Sequence, residues 1–69
     1  MKVIYKYYKN SNTGFLMKTQ EFIETPIKGI PVYFYNLNGE KIGENLDLDG
    51  FVEISEKKFK RVQRKNKKL

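Results

Sequence analysis

The sequence predicts an all-β or β-dominated fold that ends in a short basic helix or tail. β-Branched and aromatic residues alternate with lysine over residues 2–9, and a period of two is typical of a strand. Two pairs, Asn38-Gly39 and Asp49-Gly50, indicate tight turns between short extended segments. A chain of 69 residues is one small domain, so we expect about five short strands around a modest core.

The first third of the chain predicts a hairpin. Residues 2–9 supply its first strand, and the segment 10–14 (Asn-Ser-Asn-Thr-Gly) is a dense turn signal. The chain then returns as a second strand over residues 15–23. A short helical turn is the alternative for residues 16–24, because that stretch also contains ordinary helix formers.

A second hairpin is predicted around Asn38-Gly39. Its two-residue spacing fits a type I′ turn, in which both central residues have positive φ. Such a turn sets Phe34 opposite Gly43. The turn at Asp49-Gly50 then leads into a strand over residues 51–54, which would complete a three-stranded meander.

The C-terminal segment predicts a short helix. Ser55 is a suitable N-cap, and Glu56 in the first turn suits the helix dipole. Ile54 and Phe59 have the spacing of a hydrophobic staple, so we expect Phe59 to close the core as a lid. Residues 64–69 lack an apolar stripe, and we expect them to fray.

These elements predict strands that curl into a small SH3- or OB-like barrel, or that stay a five-stranded meander. The predicted organisation is a small β domain at residues 1–56 followed by a basic helix or tail at 57–69. Besides Phe59, the predicted core consists of Val3, Tyr5, Phe15, Met17, Phe22, Ile30, Val32, Phe34, Ile42, Leu46, Val52 and Ile54.

The composition argues against catalysis. The chain has no cysteine and no histidine, which excludes disulfide scaffolds, zinc fingers and nucleophiles of the Cys or His type. The Asp47–Gly50 segment begins like a calcium loop, but the twelfth position is Lys58 instead of the bidentate glutamate. We therefore expect no enzyme, no metal and no cofactor.

Charge is strongly segregated along the chain. Residues 57–69 carry eight cations and no acid, so in a chain of net charge +6 the remaining residues 1–56 sum to −2. A basic block of this density repels itself unless an anion neutralises it, which is typical of nucleic-acid contacts.

The leading hypothesis is therefore a small, non-catalytic nucleic-acid-binding accessory protein. The basic block would neutralise phosphates, and the lysine and tyrosine alternation of the first strand would let a ring stack on a base. The predicted binding residues are Lys6, Tyr8, Lys57, Lys58, Lys60, Arg61, Arg64, Lys65, Lys67 and Lys68.

Two alternatives compete with this hypothesis. The acidic stretch 40–53, with Glu40, Glu44, Asp47 and Asp49, would suit a protein–protein module or inhibitor that faces a basic surface of a host protein. The other is a solubilising tail enriched by codon bias, because 36 of the 69 residues are Phe, Tyr, Met, Ile, Asn or Lys and none is Ala. This bias indicates a low-GC bacterium, phage or mobile element as the source.

No apolar run reaches the length of about 18 residues that a membrane span needs, so we expect a cytoplasmic protein without a membrane partner. The lysine-rich first strand, small barrel and lysine-rich C-terminal helix resemble the layout of small archaeal chromatin proteins with SH3-like barrels. This resemblance is one of layout and implies no role for any particular residue.

Overall fold

The computed structural model describes the backbone of residues 1–67 and the side chains of residues 1–66. It contains five strands and one helix, in agreement with the β-dominated fold that the sequence predicts. The elements are β1 (Lys2–Asn10), β2 (Leu16–Ile23), β3 (Tyr33–Asn36), β4 (Lys41–Glu44), β5 (Phe51–Ile54) and α1 (Glu56–Lys67).

The strands form one antiparallel sheet in the order β4-β3-β2-β1-β5. Strands β1 to β4 are a meander of sequence neighbours, and residues 16–23 are strand rather than helix. Strand β5 follows the Asp49-Gly50 turn as expected, but it pairs with β1, with Tyr7 opposite Ile54. The sheet is therefore open, with β4 and β5 at its two edges.

The position of β5 requires the chain to cross the whole sheet between β4 and β5. Four strand spacings are about 19 Å, and the six residues 45–50 span about 20 Å when extended. Asn45 fixes the start of this crossing through two bonds of 2.9 Å with the backbone of Val32. The carbonyl of Gly50 fixes its end by accepting from the amide and hydroxyl of Ser11.

The β3–β4 turn differs from the predicted type I′ turn. Gly39 has φ +84°, whereas Asn38 does not have positive φ. The Gly39 amide donates to the Asn36 carbonyl, and the Asn36 amide donates to the Glu40 carbonyl. These bonds define a three-residue loop with glycine in the left-handed position, a common hairpin alternative to the two-residue turn. The predicted pairing of Phe34 with Gly43 is nevertheless present.

The sheet has two faces with separate cores. On the face that carries α1, here the helix-side face, Phe59 packs with buried Tyr7 and Leu16, flanked by Leu37, Ile54 and Val62. On the opposite face, here the second face, Met17, Thr19 and Phe34 are buried, and Thr19 and Phe34 line a cleft together with the chain that crosses from β4 to β5. Leu46 of this crossing lies over Gly43, where an added Cβ would be only 2.8 Å from the leucine side chain.

The predicted core is right for Met17, Phe34 and the Phe59 lid, which are all buried. It is wrong for six residues that are more than one-third exposed, because α1 covers only part of the helix-side face and the crossing covers only part of the second face. These residues are Val3, Tyr5, Phe15, Ile42, Leu46 and Val52.

Candidate nucleic-acid interface

Helix α1 begins with the expected cap. The Ser55 hydroxyl accepts from the Lys58 amide at 3.1 Å, which satisfies one of the free amides of the first turn. Glu56 follows, and its carboxylate accepts from the Tyr7 hydroxyl at 3.0 Å and pairs with Lys60 at 3.3 Å. The start of the helix is thereby bound to β1.

This contact changes the acidity of both partners. Burial, followed by the hydrogen bond to Glu56, raises the pKa of Tyr7 to about 12. The hydrogen bond from Tyr7, together with Lys60, lowers the pKa of Glu56 below its usual value. At neutral pH the pair is thus a neutral phenol that donates to an ionised carboxylate.

A narrow apolar stripe holds α1 on the sheet. The rings of Phe59 and Tyr7 are 5.0 Å apart between centroids and tilted by 46°. One turn further along the helix, Val62 packs near Leu37, and the Gln63 side-chain amide donates to the Leu37 carbonyl at 3.0 Å. Because this stripe faces the sheet, the other side of the helix faces solvent.

The described cations of the basic block lie on that solvent side. Six of them have exposed side chains, namely Lys57, Lys58, Lys60, Arg61, Arg64 and Lys65. Among contacts between described residues, only Lys60 of these six takes part in an ion pair. The backbone of α1 continues in helical form to Lys67, past the point where fraying was expected. The Lys67 side chain and Lys68 lie outside the described residues.

The two predicted residues of the first strand lie elsewhere. Lys6 and Tyr8 are on the second face, since they alternate with Tyr7 along β1. There they line a cleft of about 390 Å³ whose other walls include Glu21, Phe34 and Leu46. The sheet therefore separates them from the cations of α1, and the ten predicted binding residues do not form one surface.

Sequence reasoning missed an aromatic group on the helix-side face. We call Tyr5, Phe22, Tyr33 and Tyr35 the aromatic patch. Strand register places these side chains on the face that carries α1, beside the part that the helix covers. The spacing of Tyr33 and Tyr35 shows in the sequence that these two rings share a face of β3. Only the pairing of β3 with β2 shows that this is also the face of Tyr5.

Polar side chains contact the rings of the aromatic patch and link two of them to each other. The Gln20 amide donates to the Tyr5 hydroxyl at 3.3 Å and accepts from the Tyr35 hydroxyl at 3.0 Å. Two lysines lie over tyrosine rings: the Lys18 ammonium is 4.7 Å from the Tyr5 centroid, and the Lys41 ammonium is 4.6 Å from that of Tyr33. The patch thus combines rings with positive charge on the same side of the molecule as α1.

The acidic residues of the alternative hypothesis mostly serve local structure. Glu40 accepts from the Asn36 side chain, and Glu44 at the end of β4 pairs with Lys41 at its start. The Asp47 carboxylate accepts from the Asp49 amide, which is the geometry of an Asx turn. Three of the four carboxylates therefore have a partner within their own segment.

No family model, curated protein or solved structure matches this chain. Within the described residues there is no group of three or more potential metal ligands, and no helix is both long and apolar enough to cross a bilayer.

Proposed function

We propose that this protein is a non-catalytic nucleic-acid-binding protein of the cytoplasm whose phosphate-binding element is α1. The observation that carries the proposal is the set of six exposed cations on the solvent side of a helix that is fixed to a sheet. Cations held on a docked helix keep a defined spacing, whereas those of a free tail do not. Phosphate binding by such a surface positions the nucleic acid without reading its sequence.

The length of α1 agrees with the size of this contact. Twelve helical residues rise about 18 Å, and one strand of a duplex presents a phosphate about every 3.4 Å. The length of the helix therefore matches the spacing of about five successive phosphates of one strand. Five neutralised phosphates would give duplex affinity a log–log salt slope of about −4.5.

The proposal is tested by charge neutralisation on α1. Fluorescence anisotropy with a labelled duplex at two salt concentrations should show the wild-type protein binding tightly in low salt and weakly in high salt. The triple variant K57Q/R61Q/R64Q removes three exposed cations of α1, so its slope should be shallower by about 2.7 and its low-salt affinity much weaker.

A matched control removes the same charge elsewhere. The variant K2Q/K6Q/K28Q also loses three exposed cations, but none of them is on α1. It should retain most of the affinity and most of the salt slope. A wild-type protein that fails to bind duplex and single strands in low salt would refute the proposal, and a loss confined to the control would move the site to the second face.

Deletion of residues 57–69 is a poorer test. Phe59 is only 2% exposed and closes the helix-side core, so truncation would uncover Tyr7 and Leu16. Neutral substitutions on the solvent side remove charge and leave this packing intact.

The alternative function, binding of a basic protein surface through residues 40–53, has less support. Three of its four carboxylates are engaged in the turn, the ion pair and the Asx turn described above. The cations of α1 are mostly free of such engagements.

A further inference from the structure

The helix-side face is only partly covered by α1. The helix lies over Tyr7 and Leu16, whereas Tyr5, two residues before Tyr7 on the same face, is 46% exposed. Val3, the next residue on this face, is 39% exposed. The sheet therefore extends beyond the helix and exposes Tyr5, beside which the other rings of the aromatic patch are half-buried.

The rings of this patch are held in place. Gln20 bonds to both the Tyr5 and Tyr35 hydroxyls, and the Phe22 and Tyr33 rings meet edge to face with centroids 6.0 Å apart. Side chains fixed by a sheet and by their neighbours lose little freedom when a planar ligand stacks on them. Strand positions also place the rings more precisely than a loop would.

Each of two rings has a cation beside it. The ammonium groups of Lys18 and Lys41 lie over the rings of Tyr5 and Tyr33. A nucleotide offers a planar base and a phosphate to such a pair, so the base can take the ring face while the ammonium moves to the phosphate.

From this arrangement we infer that the aromatic patch stacks unpaired bases, and that the protein binds single-stranded nucleic acid in preference to duplex. The inference rests on the proposed function and specifies its substrate class. The patch and α1 share one side of the molecule, so a single strand can lay its bases on the rings and its backbone along the helix.

A duplex cannot use the patch in this way. Its bases are paired and stacked on each other, and only its phosphates meet a protein surface without unstacking. Duplex binding would thus depend on α1 alone. Single-strand binding would depend on α1 and on the rings together, which separates the two contributions experimentally.

The test compares ring removal on the two faces. The variant Y5L removes an exposed ring and keeps an apolar side chain, Y5F keeps the ring and removes only the hydroxyl, and Y8L removes a tyrosine ring from the second face. Each protein is titrated by anisotropy against a short labelled oligothymidine and a duplex of equal length, after thermal unfolding has established that it is folded.

We expect the wild-type protein to bind oligothymidine more tightly than duplex in the same buffer. Y5L should lose about fivefold or more of its single-strand affinity, and its duplex affinity should be unchanged. Y5F and Y8L should bind both ligands as the wild type does. The double variant Y5L/Y33L should enlarge the single-strand loss.

The inference is overturned if Y5L and Y5L/Y33L bind oligothymidine normally, if they lose duplex affinity equally, or if only Y8L is impaired. In those cases the proposed function would still be supported, provided that the wild-type protein binds nucleic acid through the cations of α1. A wild-type protein that binds neither ligand in low salt would overturn both.

Discussion

The two faces of the sheet differ in what covers them and in the charge that this covering carries. The helix-side face is partly covered by α1, which has six exposed cations. The second face is crossed by residues 45–50, which carry Asp47 and Asp49 and no cation. The cation-rich helix and the two aspartates of the crossing, which are separated along the sequence, thus lie on opposite sides of the sheet.

Under the proposed function, this difference would let a chain of modest net charge bind a polyanion in one orientation. A polyanion that approaches the molecule is attracted toward α1 and away from the crossing, so the charge distribution selects a face before any contact forms. The aromatic patch lies on the attractive side. The cleft with Lys6 and Tyr8 lies on the other.

The largest expected effect comes from removing either core. Phe59 and Phe34 are each 2% exposed, one on each face. F59A and F34A should each lower the free energy of unfolding by about 3–4 kcal/mol. This loss approaches the whole stability of so small a domain. Urea unfolding followed by circular dichroism measures both, with F15A as an exposed control.

The two variants should nevertheless differ in what unfolds. F34A should destabilise the sheet and α1 together, whereas F59A should release α1 first and leave amide protection in β1 and β2 above that of F34A. An F59A protein within about 1 kcal/mol of the wild type would contradict the helix-side core.

The next effect concerns the β3–β4 turn, which places Leu37 beneath α1. Gly39 has φ +84°, and an added Cβ would meet no atom within 4 Å, so the cost of G39A is one of backbone conformation. We expect G39A to lower the free energy of unfolding by about 1–2 kcal/mol. N38A should lower it by nearly nothing, because Asn38 does not have positive φ. Equal costs in chemical denaturation would restore the two-residue turn that the sequence suggests.

A smaller effect is expected from the contact between Tyr7 and Glu56 at alkaline pH. The raised pKa of Tyr7, about 12, means that the unfolded chain releases this proton from about pH 10 while the folded chain keeps it. This contribution to stability is complete below pH 10 and is lost as the pH rises toward 12. Y7F lacks the phenol proton, so its melting temperature should fall less steeply over that interval than that of the wild type.

The smallest effect should come from the acidic side. The variant E40S/E44S/D47S/D49S removes four charges from residues 40–49, and exposed charges at a distance are screened by salt. Duplex affinity should therefore rise by less than about threefold at physiological salt. A large loss of nucleic-acid binding would show that the acidic segment takes part in the site.

Much of the local structure could be predicted because its signals are local. The period of two in β1, the glycines of the turns and the Ser55 cap each depend on a few adjacent residues, and each is present in the structure. The pairing of β5 with β1 has no such signal. It joins residues far apart in sequence. A strand that follows the Asp49-Gly50 turn could pair with β4 or with β1.

The candidate site was predicted only in part for the same reason. The cations of α1 follow from composition and helical spacing, and six of them are exposed as a helix surface requires. Tyr5 was assigned to the core and Tyr8 to the binding surface because alternation distinguishes two faces but does not say how far a helix extends over one of them.

The pairing of β1 with β5 also means that one edge of β1 stays unpaired for a long part of synthesis. β1 leaves the ribosome before the other four strands of this sheet, and the strand that pairs with its outer edge follows only after about forty further residues. Until then this edge offers free amides and carbonyls to any extended chain nearby. Even in the finished fold, β5 covers only residues 7–10 of β1. Lys2 and Lys6 stand at the two ends of the remaining stretch, where their charge discourages unwanted edge-to-edge association of nascent chains.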